Sequence, residues 1–332
     1  MNRRQVLALL GSAAAGGCLG GSESPPATTS RSTSSVGTTG QTTESEPETR
    51  TETPDQPELG VRNPEGCPPF DSDVKRVVCA SAVGDDAPMT LGPAGQSGSL
   101  PRAEFSFTLT NGTDAVFTVN YHAWEIWKRV DGEWFRIAPR SWPQPAMFLR
   151  PGGAHTWHLT VDNTDLDRPI PHSGGTESVT VAGLGPGTYA FGTDGWFRGQ
   201  SYENATGFAA RFELTGESLE LAPTGIDRTE RDGDTVVLHD DPEENEDRAA
   251  YVVTRVESAP EESRRMITEQ VIRRTPLRNA LAHFESGVRT VRLEAGTGTS
   301  PAFGVSEARY VEYEGQTYRI ETEKLEAKTT DS

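Results

Sequence analysis

Trp124-Glu125-Ile126-Trp127-Lys128-Arg129-Val130-Asp131-Gly132-Glu133-Trp134-Phe135-Arg136-Ile137-Ala138 is the stretch that decides the fold. Asp-Gly between alternating apolar and polar residues is among the strongest two-residue hairpin signals. A turn at Asp131-Gly132 pairs Val130 with Glu133, Arg129 with Trp134, Lys128 with Phe135 and Trp127 with Arg136. Successive side chains of a strand point to opposite faces, so Trp124, Ile126, Val130, Phe135 and Ile137 form a core face. The opposite face carries Glu125, Trp127, Arg129, Trp134 and Arg136. Trp and Arg are common interface anchors, which makes Trp127, Arg129, Trp134 and Arg136 a candidate binding face for a glycan or a partner protein. The alternative is a face that satisfies itself, each arginine over a tryptophan, by roughly 0.5–1 kcal/mol a pair.

Outward from the hairpin the same pattern repeats. Phe105, Phe107 and Leu109 alternate with polar residues before Asn111-Gly112, and Val116 to Val119 resume the run. His155, Trp157, Leu159 and Val161 alternate after Pro151-Gly152-Gly153, and Val179 to Val181, Thr188 to Phe191 and Phe208 to Leu214 close the set. Short strands bounded by Gly, Pro and Asn predict a mainly β fold, a β-sandwich over residues 61–220. Thr108-Leu109-Thr110-Asn111, the Trp124–Arg129 stretch leading to Gly132-Glu133-Trp134, Leu149-Arg150-Pro151-Gly152 and Leu184-Gly185-Pro186-Gly187-Thr188-Tyr189 resemble the bacterial immunoglobulin-like modules of secreted and membrane-attached proteins. That resemblance covers about residues 100–195, brings no catalytic residues, and implies a spacer, receptor or accessory role.

Residues 221–332 change character. Thr235 to Leu238 and Tyr251 to Val256 read as strands. Ser258, with Glu261 and Glu262 behind it, predicts the start of a helix carrying Met266, Ile267, Val271 and Ile272. Pro276 ends that helix or opens a second one, with Leu277, Ala280, Leu281 and Phe284, that stops at Gly287. Val288 to Leu293 is a strand, and Tyr310 to Glu314 pairs with Gln316 to Ile320. The expectation is a small α+β domain whose Tyr310–Ile320 ending resembles a haloarchaeal domain of unknown function.

Upstream, Cys67 and Cys79 are the cysteines that remain beside Cys18. In an oxidising location they predict a disulfide, with two free buried thiols as the alternative. Residues 18–60 are Ser/Thr-rich and predicted to be a disordered linker, since Val36 offers almost nothing to bury. A flexible coil of this length spans roughly 35 Å. Residues 1–17 read as a signal peptide: Arg3-Arg4, a short apolar stretch, then Ala15-Gly16-Gly17 before Cys18. Arg3-Arg4-Gln5-Val6-Leu7 resembles a twin-arginine export signal and the small residues before Cys18 resemble a lipobox, which implies a lipid on Cys18 and a place at the extracytoplasmic face of the membrane. The alternative is a cleaved signal and a free protein.

The chain has 49 acidic and 31 basic residues, a net charge of −18 that deepens by two when Arg3 and Arg4 leave with the signal. Only Lys75, Lys128, Lys324 and Lys328 are lysines. The self-repulsion this costs nearly vanishes at molar salt, where the Debye length is about 3 Å, and the balance resembles that of haloarchaeal surface proteins. A basic stripe for nucleic acid is missing. No hydrolase, phosphate-loop or dinucleotide motif occurs, so no catalytic residue, metal or cofactor is expected. His155 and His158 stand three apart in a strand and face opposite ways. The acidic run from Asp240 to Asp247 lacks calcium-loop spacing. Asn111-Gly112-Thr113 and Asn204-Ala205-Thr206 are candidate N-glycosylation sites. The leading expectation is a lipid-anchored, non-catalytic binding or accessory module of the cell envelope. Alternatives are a structural envelope component without a ligand, and an extracytoplasmic hydrolase or solute-binding protein.

Overall fold

A computed structural model describes residues 56–60, 66–84, 86–93, 95–240, 247–258, 260, 262–297 and 299–325. Arg3, Arg4, Cys18 and the acidic residues of 241–246 lie outside the described residues. The first half carries β1 (Val74–Cys79), β2 (Met89–Gly92), β3 (Gln96–Ser99), β4 (Arg102–Asn111), β5 (Phe117–Val130), β6 (Glu133–Ala138), β7 (Met147–Leu149), β8 (Ala154–Asp162), β9 (Ser178–Val181), β10 (Gly187–Phe197) and β11 (Ala205–Thr215). The second half carries β12 (Arg228–Asp232), β13 (Thr235–His239), β14 (Arg248–Val256), β15 (Arg264–Arg265), α1 (Thr268–Val271), α2 (Thr275–Leu281), β16 (Thr290–Gly296), β17 (Arg309–Tyr313) and β18 (Gln316–Lys324).

Two sheets pack face to face as an immunoglobulin-like β-sandwich. One has the order β1-β11-β10-β5-β6, with β3 beside β11 and β7 beside β5; the other runs β2-β4-β8-β9. Alternation drives this. β4 buries every second residue, and Phe105, Phe107 and Leu109 meet Trp157, Leu159 and Val161 of β8 in one core. Phe191 of β10 sits at its centre, its ring 4.5 Å from Phe107, 5.6 Å from Trp157 and 6.1 Å from Trp124. The β5–β6 hairpin has the register its turn dictates, from Val130 opposite Glu133 to Trp127 opposite Arg136.

The second half builds one sheet, β12-β13-β16-β14-β18-β17-β15, with α1 and α2 and a core of its own. A strand-free segment, residues 216–227, separates β11 from β12. One expectation is corrected here. The helix foreseen from Ser258 does not form there, because Arg264–Arg265 pair in parallel with Val311–Glu312 of β17; α1 starts only at Thr268 and lasts one turn. Pro276 stands at the start of α2, which ends at Leu281 rather than running to Gly287.

The two halves meet through charged side chains that the sandwich receives. Glu269 of α1 is 3% exposed; its Oε1 accepts from Lys128 Nζ at 2.5 Å and from Gly185 N at 3.1 Å, with the Tyr189 hydroxyl 3.2 Å away. Arg273 donates to the carbonyls of Ala182 and Gly183, and buried Arg278 to those of Leu166, Arg168 and Ala222. Arg265 holds Asp131 at 2.6 Å and Glu133 at 2.7 Å, at the hairpin tip. Ile267 adds the apolar contact, lying in the sandwich core cluster. Removing one partner of a buried ion pair leaves a charge without compensation, at about 3–5 kcal/mol, whereas an exposed pair contributes at most about 1 kcal/mol. Glu269→Leu is therefore expected to destabilise the protein strongly, and Arg102→Ala, which breaks the surface pair with Asp162, by under about 1 kcal/mol. Chemical denaturation of both variants checks this; equal losses would contradict the ranking.

Candidate functional site

The outer face of the β5–β10–β11 sheet is where the sequence placed its candidate binding face. The structure covers part of it. Cys67 and Cys79 are joined by a disulfide with Cα atoms 6.1 Å apart, which ties the segment before β1 to the end of that strand. Three residues on, the Phe70 ring lies edge-on to Trp127 with centroids 4.8 Å apart. Gly192 and Gly207 make room for it: a Cβ at Gly192 would lie 3.0 Å from the Phe70 ring and 2.8 Å from the Trp127 ring, and one at Gly207 2.9 Å from Phe70. Trp127 is consequently 1% exposed and Glu125 6%, so the expectation that both face solvent is corrected. The rest of the set is engaged with neighbours. Arg129 and Arg211 each lie 5.9 Å from the half-buried Trp134 ring. Arg136 pairs with Glu125 at 2.6 Å and lies over Trp142 at 4.9 Å. Trp127, Arg129, Trp134 and Arg136 thus do not form an open platform.

Beside this covered patch the face stays open. The β5–β10 register shifts between Thr193 and Gly195, whose partners jump from Trp124 to Val119. Such irregularities re-aim side chains; here Asp194 falls at the shift, and Asn120 to Ala123 are set aside from the ladder. Asn120 uses this position to fix the next wall, its Nδ2 donating to Pro143 O at 2.7 Å and its Oδ1 accepting from His122 N at 3.0 Å. The result is a groove of about 360 Å³ whose floor holds Glu125 and Asp194. Phe70, Asp71 and Asp73 form one wall, Trp142 to Ala146 the other, and Trp196 and Tyr202 one end.

The rings continue past the groove. Phe148 of β7 stands opposite Thr118, and Thr118 stands opposite Trp196. Directly opposed residues share a face, so Phe148, Thr118 and Trp196 form a row across three strands, about 10 Å from first to last. Phe148 is 63% exposed and Tyr202 58%, the exposed large apolar side chains among the described residues.

Desolvation raises Glu125 to about 7, with Arg136 opposing and Asp71 and Asp194 adding to the rise. Asp194 is raised to about 6 by burial, then by Asp71 and Asp73. A second cavity, about 460 Å³, lies between the sandwich and the second half, lined by Lys128, Gly185, Glu269 and Tyr313 among others. It is the larger of the two, but its cations are already matched, Lys128 with Glu269 and Arg265 with Asp131 and Glu133.

The other sequence candidates fall elsewhere. Asn111 is buried; its Nδ2 donates to Ala115 O and Leu149 O while its Oδ1 accepts from Thr113. The nitrogen a sugar would need is therefore committed, and Asn111 is corrected from glycan acceptor to turn residue. Asn204 is exposed, closing a short 3-10 turn. His155 stacks on Tyr121 at 3.6 Å and meets Thr176 O, whereas His158 meets Ser106 on the other face. No group of three or more His, Cys, Asp or Glu among the described residues is placed to hold a metal ion.

No family model matches the chain, and no curated protein matches it. Among solved structures, the ASH / PapD-like domain of human CEP192 (PapD-like domain 7) is similar at 13% identity over 40% of this chain and 87% of that one, with a TM-score of 0.22. So loose a likeness carries no functional argument.

The raised carboxyls have a consequence for stability. Both hold a proton more tightly folded than unfolded, where carboxyls titrate near about 4. Their contribution is therefore full below about pH 4 and is lost as the pH climbs through about 6 to about 7. The double variant Glu125→Gln, Asp194→Asn is expected to lose less stability than the wild type between those limits. Melting temperatures across the range test this; parallel profiles would contradict it.

Proposed function

We propose that this chain is a lipid-anchored surface protein whose sandwich binds an envelope glycan in the groove of its outer sheet. The observation that carries the reading is the company the rings keep. Trp142, Trp196 and Tyr202 stand around the carboxylates of Glu125 and Asp194, with exposed Phe148 in line beyond. Flat rings offer apolar faces to the C–H faces of sugar rings, and carboxylates accept from hydroxyls. A few convergent polar groups in an otherwise ring-lined cleft are what a small-ligand site requires. Solvent-facing aromatics in a row serve no core, and such patches mark interaction surfaces.

Anchoring rests on the sequence: Arg3-Arg4 for twin-arginine-type export and Cys18 for the lipid, with the Ser/Thr-rich segment after Cys18 as the tether that presents the sandwich. The expected end of that tether at residue 60 is corrected, since Leu59 is 3% exposed in the sandwich core and Pro57 O accepts from Arg76. Among the described residues no helix is long and apolar enough to cross a membrane, so in this reading the lipid holds the protein at the extracytoplasmic face. Exposed Asn204 is the sequon available for modification. An envelope protein is the alternative partner.

The covered hairpin favours a second reading, a structural envelope component with no ligand, because burial of Trp127 under Phe70 is what self-packing demands. The two readings part over the open rings. Full-length chain carrying Cys18→Ser is expected to co-sediment with polysaccharide purified from its own envelope. Trp196→Ala is expected to weaken that binding about 30-fold, the loss of about 2 kcal/mol typical of an anchoring tryptophan. Arg102→Ala, on the other sheet, is expected to leave binding unchanged. No binding by the wild type, or binding indifferent to Trp196, would favour the structural reading.

A further inference from the structure

The groove's charge is one-sided. Asp71, Asp73, Glu125 and Asp194 line it with no Lys, Arg or His beside them in the lining, and Arg136, which pairs with Glu125, is taken by that pair. Among the described residues no Lys, Arg or His lies within ion-pairing distance of Asp71, Asp73 or Asp194. The basic neighbours in sequence are turned to other tasks: Lys75 Nζ donates to Ser72 O at 2.6 Å, and Arg76 donates to Pro57 O and Thr206 Oγ1. Asp194 is half-buried at the register shift, under Asp71 and Asp73 rather than under any cation. Holding an acid at such a place costs stability, since it is desolvated without compensation. A bound positive charge would supply that compensation. The rings add to it, because a cation over the face of Trp or Tyr is attracted by the ring's negative face, most when desolvated. Trp142, Trp196 and exposed Tyr202 line the groove with the acids, so the rings and the carboxylates point to one ligand that presents both an apolar ring face and a cationic group.

Resting on the glycan reading above, we infer that the groove selects amine-bearing saccharides, with a protonated amino group held among Asp194, Asp71 and Asp73 and the sugar ring laid along Trp196 toward Phe148. Uronic-acid or sulfated glycans would meet like charge and are excluded by the same arrangement. At molar salt the selectivity rests on half-buried Asp194, since screening acts chiefly on exposed charges such as Asp71 and Asp73 and far less on partly buried ones.

The test uses full-length chain carrying Cys18→Ser, titrated calorimetrically at molar salt with two probes of equal length, a glucosamine oligosaccharide with free amines and its N-acetylated counterpart. The wild type is expected to bind the free-amine probe at least tenfold more tightly. Asp194→Asn, an isosteric change that removes charge repulsion and so spares the fold, is expected to bring the two affinities within about twofold. Trp196→Ala is expected to weaken both alike. Equal affinity of the wild type for the two probes would overturn the amine inference while leaving the glycan reading intact. Binding of neither probe would overturn both. Tighter binding of a lysine oligopeptide than of either sugar, insensitive to Trp196→Ala, would overturn the inference in favour of a cationic protein segment.

Discussion

The ring of Phe70 on Trp127 is the contact on which the outer face of the sandwich depends. Without it, Trp127 would be a solvent-side tryptophan and Glu125 an ordinary surface carboxylate. With it, Trp127 is buried, its strand is covered on both faces from Ala123 to Trp127, and Glu125 is desolvated. The contact is held at one end by the Cys67–Cys79 disulfide and allowed from below by Gly192 and Gly207, which have no side chain to hold the ring away. Closing so short a loop restricts the unfolded chain by roughly 3 kcal/mol in the chain-entropy account. The covalent tie thus keeps in place a segment with little secondary structure of its own, and that segment supplies one wall of the groove.

A different economy joins the sandwich to the second half. Glu269, Arg273 and Arg278 come from the short helical region, and carbonyls or Lys128 of the sandwich receive them. Desolvating such charges costs nearly what their pairing returns, so they add little net stability. They discriminate strongly, because each misplacement strands a buried charge. Contacts of this kind define one arrangement of the two halves. In a chain so rich in acid, they also put part of its scarce lysine and several arginines where salt does not screen them.

Much of the fold was legible because its signals are local. The Asp131-Gly132 turn and the period-two alternation around it are enough to give the hairpin register and its core face, and Phe105 to Leu109 or Trp157 to Val161 announce their strands in the same way. What could not be read came from distant sequence. The cover over Trp127 arrives from Phe70, more than fifty residues upstream, and no property of the hairpin foretells it. Arg264–Arg265 lie in a helix-like pattern, yet β17 recruits them as a strand. Asn111 reads equally as a sequon and as a turn residue until Leu149 takes its amide. The groove itself depends on a register shift at Asp194, and a strand's sequence does not state where its ladder slips. A hint was present in the aromatic and acidic residues at Trp142, Asp194, Trp196 and Tyr202, but they stand up to sixty residues apart and only the sheet brings them together.

Binding by the outer face, with the inner face reserved for the core, is the central claim, and the six tryptophans report on it directly. Trp124 and Trp157 donate their indole N–H groups to Gly175 O and Tyr121 O inside the sandwich, while Trp142 and Trp196 line the groove. The decisive measurement is a two-dimensional ¹⁵N–¹H NMR titration of the full-length chain with envelope oligosaccharide, following the indole resonances. The account predicts shifts at Trp142 and Trp196 with Trp124 and Trp157 unmoved. Shifts confined to Trp124 and Trp157, or none at any tryptophan, would contradict it.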